Sequence, residues 1–294
     1  MALSDAGSTI SNAFITQFAD DVVHLSQQKM SKLAGNVRTV RNVNGSTYKF
    51  NTLGKGGYIK NKSRFEDITV MSDSSKSLGG SATYTGGTAA HSTVTATLNN
   101  YVAGEYVDDF DMFKVNFDFR QTYAESIAAA LSRAYDNEII GQLDASSPST
   151  TVTASSGLTK AKFLEVAEGL NLNSVDPADR FMVISPAALT DLLADSGVTT
   201  AADGPISNTA LATGFIPNFL GFNIIVSTLL TEASTGVRNC YAFQKNAVGL
   251  AIGKDVTAMI NYVPQKVSYL VAGEFSAGGA VIDTTAVAKI TVTE

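Results

Sequence analysis

Apolar positions recur along this chain with two periods, one near a helical turn and one of strict alternation, and the changes between them mark its parts. Phe14, Phe18, Val22, Leu25 and Leu33 recur about one turn apart after Ser11, an N-cap residue, and Gly35 is placed to end the run. This pattern predicts an amphipathic N-terminal helix. Val37, Val40 and Val43 then lead into Asn44-Gly45, a tight-turn signal, and Tyr48, Phe50 and Thr52 alternate beyond it, which predicts a hairpin or extended arm. Residues Thr69 to Ala90 are Ser, Gly and Thr with little to bury and predict a long mobile loop. Thr93, Thr95 and Thr97 alternate with Val94, Ala96 and Leu98, and the β pattern continues from Tyr101 to Val107 with Gly104 as an expected bulge. Phe119, Tyr123, Ile127, Leu131, Tyr135 and Ile139 are spaced by four around Ala128-Ala129-Ala130, so a helix is expected from about Asp118 to Leu143. At 1.5 Å per residue it would be roughly 39 Å long.

The Ser/Thr-rich stretch Ala145 to Gly157 predicts a boundary between two lobes. Beyond it, Thr159 is placed to cap a helix carrying Phe163, Val166 and Leu170. Phe181 to Ile184 predicts a short buried strand, and Ser185-Pro186 opens a helix through Leu189, Leu192 and Leu193. Gly221 to Leu230 and Cys240 to Phe243 read as further strands, and the chain after Asp255 is again β-rich, with Met259 to Val271 and Ala286 to Val292, a tail expected to return to the sheet of the first lobe.

Composition narrows the class. The chain has 294 residues, 45% of them hydrophobic, enough for one large core or two modest ones. Only 16% are charged, against roughly 25% in an average soluble domain, so the surface is dominated by Ser, Thr, Asn and Gly. Met1 to Gln28 has no Lys or Arg and no short apolar block, so no secretion signal is expected. The longest uncharged run, Gly204 to Thr231, is interrupted by Pro205, Asn208, Gly214, Pro217, Asn218 and Gly221, which argues against a bilayer span. The net charge of -6 conceals a division: Lys29 to Arg64 holds nine basic residues and no Asp or Glu. A +9 segment on a body of -15 complements another copy of the same chain. Nucleic acid is the second candidate partner, but Tyr48, Phe50 and Tyr58 sit at strand positions and need not stack on bases.

The candidate chemistry is sparse. Gly54-Lys55-Gly56 and Gly249 to Lys254 lack the glycine spacing or the hydroxyl residue of a phosphate loop, and both read as turns. Asp108, Asp109 and Asp111 could bind a cation, but their place before a helix favours capping. His24 and His91 are surrounded by no nucleophile motif, and Cys240, the one cysteine, reads as a small buried strand residue. No catalytic residue, cofactor or metal site is expected.

Three stretches carry a resemblance. They are Val107-Asp108-Asp109-Phe110-Asp111-Met112 running into Asp118-Phe119-Arg120 and Leu131-Ser132-Arg133-Ala134-Tyr135-Asp136, then Gly221-Phe222-Asn223-Ile224-Ile225-Val226-Ser227, then Ala242-Phe243-Gln244-Lys245-Asn246-Ala247-Val248-Gly249. Together they resemble the major capsid protein of tailed bacteriophages, with the Hong Kong 97 fold, and most closely its short-tailed-phage (podovirus) branch. The resemblance implies an α+β fold. Its parts would be an N-terminal arm (1–44), an extended β-hairpin loop (45–90), a peripheral domain with a long spine helix (91–144 and 255–294) and an axial α/β domain (145–254).

The implied function is self-assembly into pentamers and hexamers of an icosahedral head enclosing double-stranded DNA. The protein would be located in the virion after assembly in the host cytoplasm. Implied partners are further copies of the chain, a scaffolding protein, a portal, a decoration protein and non-specifically contacted DNA, with no membrane. The alternatives are the shell of a cellular nanocompartment of the same fold and, in another class, a hydrolytic enzyme. Lys49, Lys55, Lys60, Lys62 and Arg64 on the basic side, and Asp108, Asp109 and Asp111 on the acidic side, are the expected contacts between subunits. Some relatives join subunits by Lys to Asn isopeptide bonds. Lys55, Lys60 and Lys62 lie in the corresponding region, but no catalytic carboxylate matches and no such link is expected.

Overall fold

A computed structural model of the chain describes residues 27–54, 58–60, 64–65, 83–85, 91–112, 119–153, 156–195, 214 and 216–294. The chain enters as extended backbone, makes one 3-10 turn at Ala34–Asn36 and forms β1 (Arg38–Val40). A ribbon follows. β2 (Thr47–Leu53) and β3 (Tyr58–Lys60) run outward, and β4 (Thr83–Thr85) and β5 (His91–Thr97) run back. β6 (Asn99–Asp108) leads through the short helix Asp109–Met112 to a long helix, Phe119–Ala145. Then come β7 (Thr150–Val152), the helix Lys160–Leu172, β8 (Arg180–Ile184) and the helix Pro186–Ala194. After these follow β9 (Asn218–Phe219), β10 (Phe222–Val226), β11 (Glu232–Ser234) and β12 (Val237–Gln244). The chain closes with β13 (Val248–Val263), β14 (Ser268–Val281) and β15 (Val287–Thr293).

Two sheets result. One has the order β1-β13-β14-β6, the other β7-β15-β12-β8-β10-β9 with β11 added beside β12. The long helix joins them: Ile127, Leu131, Tyr135, Ile139 and Leu143 are all buried, as spacing by four requires, and they belong to one core with residues of both sheets. Tyr135 packs on Phe275 of β14 with ring centres 4.2 Å apart, and Phe275 stacks on Tyr101 of β6 at 4.7 Å. In the second sheet β8 and β12 carry the fully buried Met182, Val183, Ile184, Tyr241 and Phe243.

Several expectations hold. The long helix, the strand at 181–184, the strands within 221–230 and around 240–243, and the Ser185-Pro186 helix start are all present, with Ser185 Oγ accepting the Ala188 N–H at 3.1 Å. Thr159 has the backbone geometry of an N-cap but its side chain makes no cap bond. Asp195 Oδ2, from the end of the neighbouring helix, accepts the Lys160 N–H at 2.9 Å instead.

Other expectations are corrected. The expected N-terminal helix is absent over residues 27–33, where the N–H groups of Lys32 and Leu33 bond to a carboxylate and not to carbonyls four residues back. Its earlier part, including Phe14 to Leu25 and His24, lies outside the described residues. The expected hairpin across Asn44-Gly45 does not form. β1 runs parallel to β13 and β2 pairs with β5, so the dipeptide turns a corner between sheets, with Gly45 at φ 128°.

Gly104 makes no bulge: its pairing with Ala272 is regular, and a Cβ there would lie 3.2 Å from the Val271 carbonyl oxygen. Gly249 to Lys254 is strand and not turn. Met259 to Val271 is not one strand, because Pro264 breaks it into β13 and β14 around a four-residue turn. The stretch from Ala145 to Gly157 contributes β7, paired parallel to β15. The tail after Asp255 divides: β14 returns to the sheet of the first lobe beside β6, as expected, while β15 goes to the second sheet beside β12. Most of Thr69 to Ala90 lies outside the described residues, but 83–85 form a strand with β3.

Candidate assembly surface

The ribbon is fixed at its base and exposed on its outer side. Phe50 and Ala96 turn inward and pack with Ala251 and Ala280 of the first sheet, where glycines leave the room. A Cβ at Gly253 would lie 2.7 Å from Leu98 Cδ2, and one at Gly278 would lie 2.0 Å from the Thr97 carbonyl oxygen. On the outer face Thr47, Lys49, Asn51 and Leu53 alternate in β2, opposite Thr97, Thr95, Thr93 and His91 of β5. Lys49 and His91 are thus exposed on a largely hydroxyl and amide surface.

Farther out, Lys60 and Arg64 are exposed beside Tyr58 and Phe65, and Phe65 is 101% exposed. Among the described residues none of Lys49, Lys60 and Arg64 belongs to an ion pair. Lys55 and Lys62 lie outside the described residues.

The basic segment is not a single free arm. Arg41 Nη1 donates to both carboxylate oxygens of Asp255 in β13, at 3.0 and 2.7 Å. Lys32 Nζ donates to the Val226 carbonyl at 2.8 Å, and the Arg38 guanidinium lies 6.0 Å from the Phe50 ring centre. Its first part is therefore committed to its own molecule, because β1 and the arm pack on β13. Farther along, the ribbon carries the exposed cations Lys49, Lys60 and Arg64.

The acidic residues gather at the far end of the first sheet. Asp108 closes β6 and its Oδ1 accepts the Phe110 N–H at 2.8 Å, while Asp109 and Asp111 stand in the first turn of Asp109–Met112. That is the capping arrangement expected of them, on the short helix and not the long one. Around them Lys266 Nζ lies 3.8 Å above the Tyr106 ring, Arg120 lies 5.2 Å from the Tyr269 ring centre, and Tyr262 meets Tyr269 edge to face.

The carboxylates that tie the molecule together went unseen in the sequence. Asp136, 1% exposed on the long helix, accepts from Gln28 Nε2 at 2.6 Å, Ser31 Oγ at 2.5 Å and the backbone N–H groups of Lys32 and Leu33 at 3.0 Å. Glu138, two residues along the same helix, accepts from the Gly279 N–H at 3.0 Å and from the Tyr101 hydroxyl. Asp144 accepts from Asn239 Nδ2 at 3.1 Å and from the Tyr241 hydroxyl. Three acids on one helix thus hold the arm, the first sheet and the second sheet. The available signal was a set of carboxylates interleaved with apolar positions that the helix buries.

Burial, reinforced by Glu138, pushes the Tyr101 hydroxyl up to about 12, and burial, reinforced by Asp144, raises that of Tyr241. Cys240 is fully buried in β12 and burial pushes its thiol up to about 12, which fits a packing residue and not a nucleophile. Among the described residues no group of His, Cys, Asp and Glu is placed to hold a metal ion, and no helix is long and apolar enough to cross a membrane.

Residues 10–294 match the family model described as phage capsid protein. No curated protein matches the chain in sequence. Among solved structures it is similar to the capsid of the cyanophage P-SCSP1u, with a TM-score of 0.73 and 16% identity over 100% of this chain and 97% of that one. It is also similar to the capsid of the native GTA particle computed with C5 symmetry, with a TM-score of 0.68 and 15% identity over the whole of both chains. A virus-like particle from Pyrococcus furiosus aligns less well, at a TM-score of 0.56 and 13% identity over 90% of this chain and 92% of that one.

Proposed function

This chain belongs to the phage capsid protein family and its function is that of a major capsid protein, and from that premise we propose how it builds a shell. Copies associate as pentamers and hexamers, and the shell they close encloses double-stranded DNA in a virion put together in the host cytoplasm. Scaffolding, portal and decoration proteins are its further partners, and its branch of the family is that of the short-tailed phages. The peripheral part comprises β6, the long helix, β13 and β14. The axial part runs from about Ala145 to Ala247 and takes back β15. The ribbon is the reach of one copy over the next.

The observation that carries this reading is the ribbon. It is anchored at its base by Phe50, yet farther out it holds Lys60, Arg64, Tyr58 and Phe65 in the open, where no described residue of the same chain satisfies them. An exposed apolar ring beside cations that no described residue pairs suits a surface that is completed by another molecule. Each exposed ion pair contributes only about 0 to 1 kcal/mol, so cohesion comes from apolar burial and from repetition around closed symmetry.

Electron microscopy of the purified protein tests this. Closed icosahedral particles are expected, with rings of five and six subunits. Particles isolated from infected cells should contain double-stranded DNA, whereas a packaged enzyme in its place would turn the reading to a nanocompartment shell. Persistent monomers with no particle under any condition would overturn it.

A further inference from the structure

The corner between the first sheet and the ribbon is made by Asn44-Gly45, the single Asn-Gly pair in the sequence. Both residues are exposed, and among the described residues neither enters a hydrogen bond. Gly45 stands at φ 128°, and beyond its chain neighbours a Cβ placed on it would meet only the Thr47 carbonyl oxygen, at 3.8 Å. Its backbone nitrogen is therefore uncrowded. The residues on either side are fixed. The Val43 N–H donates to the Ile252 carbonyl of β13 at 3.1 Å, and the Ser46 carbonyl accepts the Leu98 N–H at 2.9 Å. The pair is thus an open link between two anchored points, one on the first sheet and one at the ribbon base. Asn51 and Asn261 are exposed as well, but they are held in β2 and β13, and each is followed by a residue with a side chain, Thr52 and Tyr262.

We propose that Asn44 is a self-modification site: the Gly45 nitrogen displaces its side-chain amide, and the aspartate and isoaspartate that follow loosen the corner from which the ribbon springs. The Gly45 N–H gives its proton to water, and the nitrogen attacks Asn44 Cγ. The new N–Cγ bond forms, the Cγ–Nδ2 bond breaks, and Nδ2 takes the proton back from water and leaves as ammonia. What remains is a cyclic imide in which the Gly45 nitrogen joins Cγ and the backbone carbonyl carbon of Asn44. Water opens it at either carbonyl. Opening at Cγ leaves aspartate at position 44, whereas opening at the backbone carbonyl routes the chain through Cγ as isoaspartate and lengthens it by a methylene. Overall a water is consumed and an ammonia released, and nothing is oxidised or reduced. The reaction needs only this chain and water, so it stands apart from the capsid reading. A longer link between Val43 and Ser46 works against the two bonds that anchor them. Either product also places a carboxylate within Lys29 to Arg64, which otherwise has no Asp or Glu.

Peptide mapping of the native full-length protein, fresh and after long incubation at mildly alkaline pH, tests the site. The peptide holding Asn44 is expected to gain the mass difference between OH and NH2 and to accept methyl groups from an isoaspartyl methyltransferase, while those holding Asn51 and Asn261 stay unchanged. No gain at Asn44, or an equal gain at Asn51 and Asn261, overturns the proposal. Asn44→Gln, whose longer side chain forms the imide poorly, should melt as the parent does and lose the modification. Methyl acceptance that persists undiminished in that variant also overturns the proposal.

Hydrogen exchange measures the loosening. The amides of Val43 and Leu98 should exchange faster in the aged parent than in the fresh one, and alike in aged and fresh Asn44→Gln. Equal rates in aged and fresh parent overturn the effect on the corner. Should the variant not fold, the mass map and the exchange rates of the parent alone decide.

Discussion

Phe50 lies edge-on against Gly249: a Cβ at the glycine would sit 2.6 Å from the ring's Cζ and 2.9 Å from Ile282 Cδ1. The ribbon base rests there on bare backbone, and Phe50 is 2% exposed as a result. Gly249→Ala should therefore lift the ribbon and destabilise the fold by about 1–3 kcal/mol, the usual cost of overpacking. Phe50→Ala should cost about 3–5 kcal/mol by leaving a void. The two together should cost less than their sum, since each removes the other's contact. Thermal denaturation of the three variants measures this, and strict additivity would contradict the packing described.

Asp136 is the only bond acceptor that the described structure gives to the N–H groups of Lys32 and Leu33. Asp136→Ala should strand them, at about 1–3 kcal/mol for each buried donor left without a partner. Asp136→Asn keeps one oxygen and should fall between Ala and the parent. Release of the arm should also speed tryptic cleavage after Lys29 and Lys32, with the rate ordered Ala, then Asn, then parent. Equal rates in all three would show that the carboxylate does not hold the arm.

What the sequence made legible was what local pattern controls. Spacing by four located the long helix to within a few residues, and Ser185-Pro186 located a helix start through a bond that its own hydroxyl makes. Long-range pairing was not legible. Asn44-Gly45 carries the local signal of a hairpin, yet β1 is taken by β13 and β2 by β5, both distant in sequence, and no local rule contains that competition. β15 likewise reads as a strand, and only its partner β12 decides to which sheet it belongs.

The candidate contacts divide in the same way. The acidic turn was readable because capping is local, whereas the commitment of Arg41 to Asp255 depends on a contact across 214 residues. The +9 count treated as one arm a segment that the fold splits in two.

Alkaline pH should destabilise the fold in two stages. The thiol of Cys240 and the hydroxyls of Tyr101 and Tyr135 are all pushed up to about 12, mainly by burial, from ordinary values of 9.0 for the thiol and 10.0 for the hydroxyls. The unfolded chain thus loses these protons first. The stability they support is complete below pH 9 and is lost as pH rises toward 12. A fully buried group titrating only in the unfolded chain contributes a slope of about 1.4 kcal/mol per pH unit, and the partly exposed Tyr101 contributes less. Cys240→Ala should flatten the decline between pH 9 and 10 and leave the decline above pH 10 in place. Urea denaturation at half-unit steps of pH measures it, and identical curves for variant and parent would contradict the assignment to Cys240.

The division of the basic segment makes its cations unequal. Arg41 and Asp255 pair on the surface, with side chains 61% and 55% exposed, so Arg41→Ala should shift folding stability by less than about 1 kcal/mol and leave assembly intact. Lys60 and Arg64 bring no described partner from their own chain. Reversing Lys60, Lys62 and Arg64 to Glu should shift the melting temperature of the subunit by no more than about 5 °C, since a substitution at an exposed position such as Lys60 or Arg64 stays within about 0.5 kcal/mol. Shell formation should be impaired all the same, because the ribbon would then meet the acidic residues of a neighbouring copy, Asp108, Asp109 and Asp111 among them, with like charge. Raising salt should relieve part of the defect, as it screens repulsion between exposed groups. Sedimentation at several ionic strengths separates the two groups of cations. Normal shells from the triple variant, or a defect from Arg41→Ala of the same size, would show that the ribbon's charges play no special part in assembly.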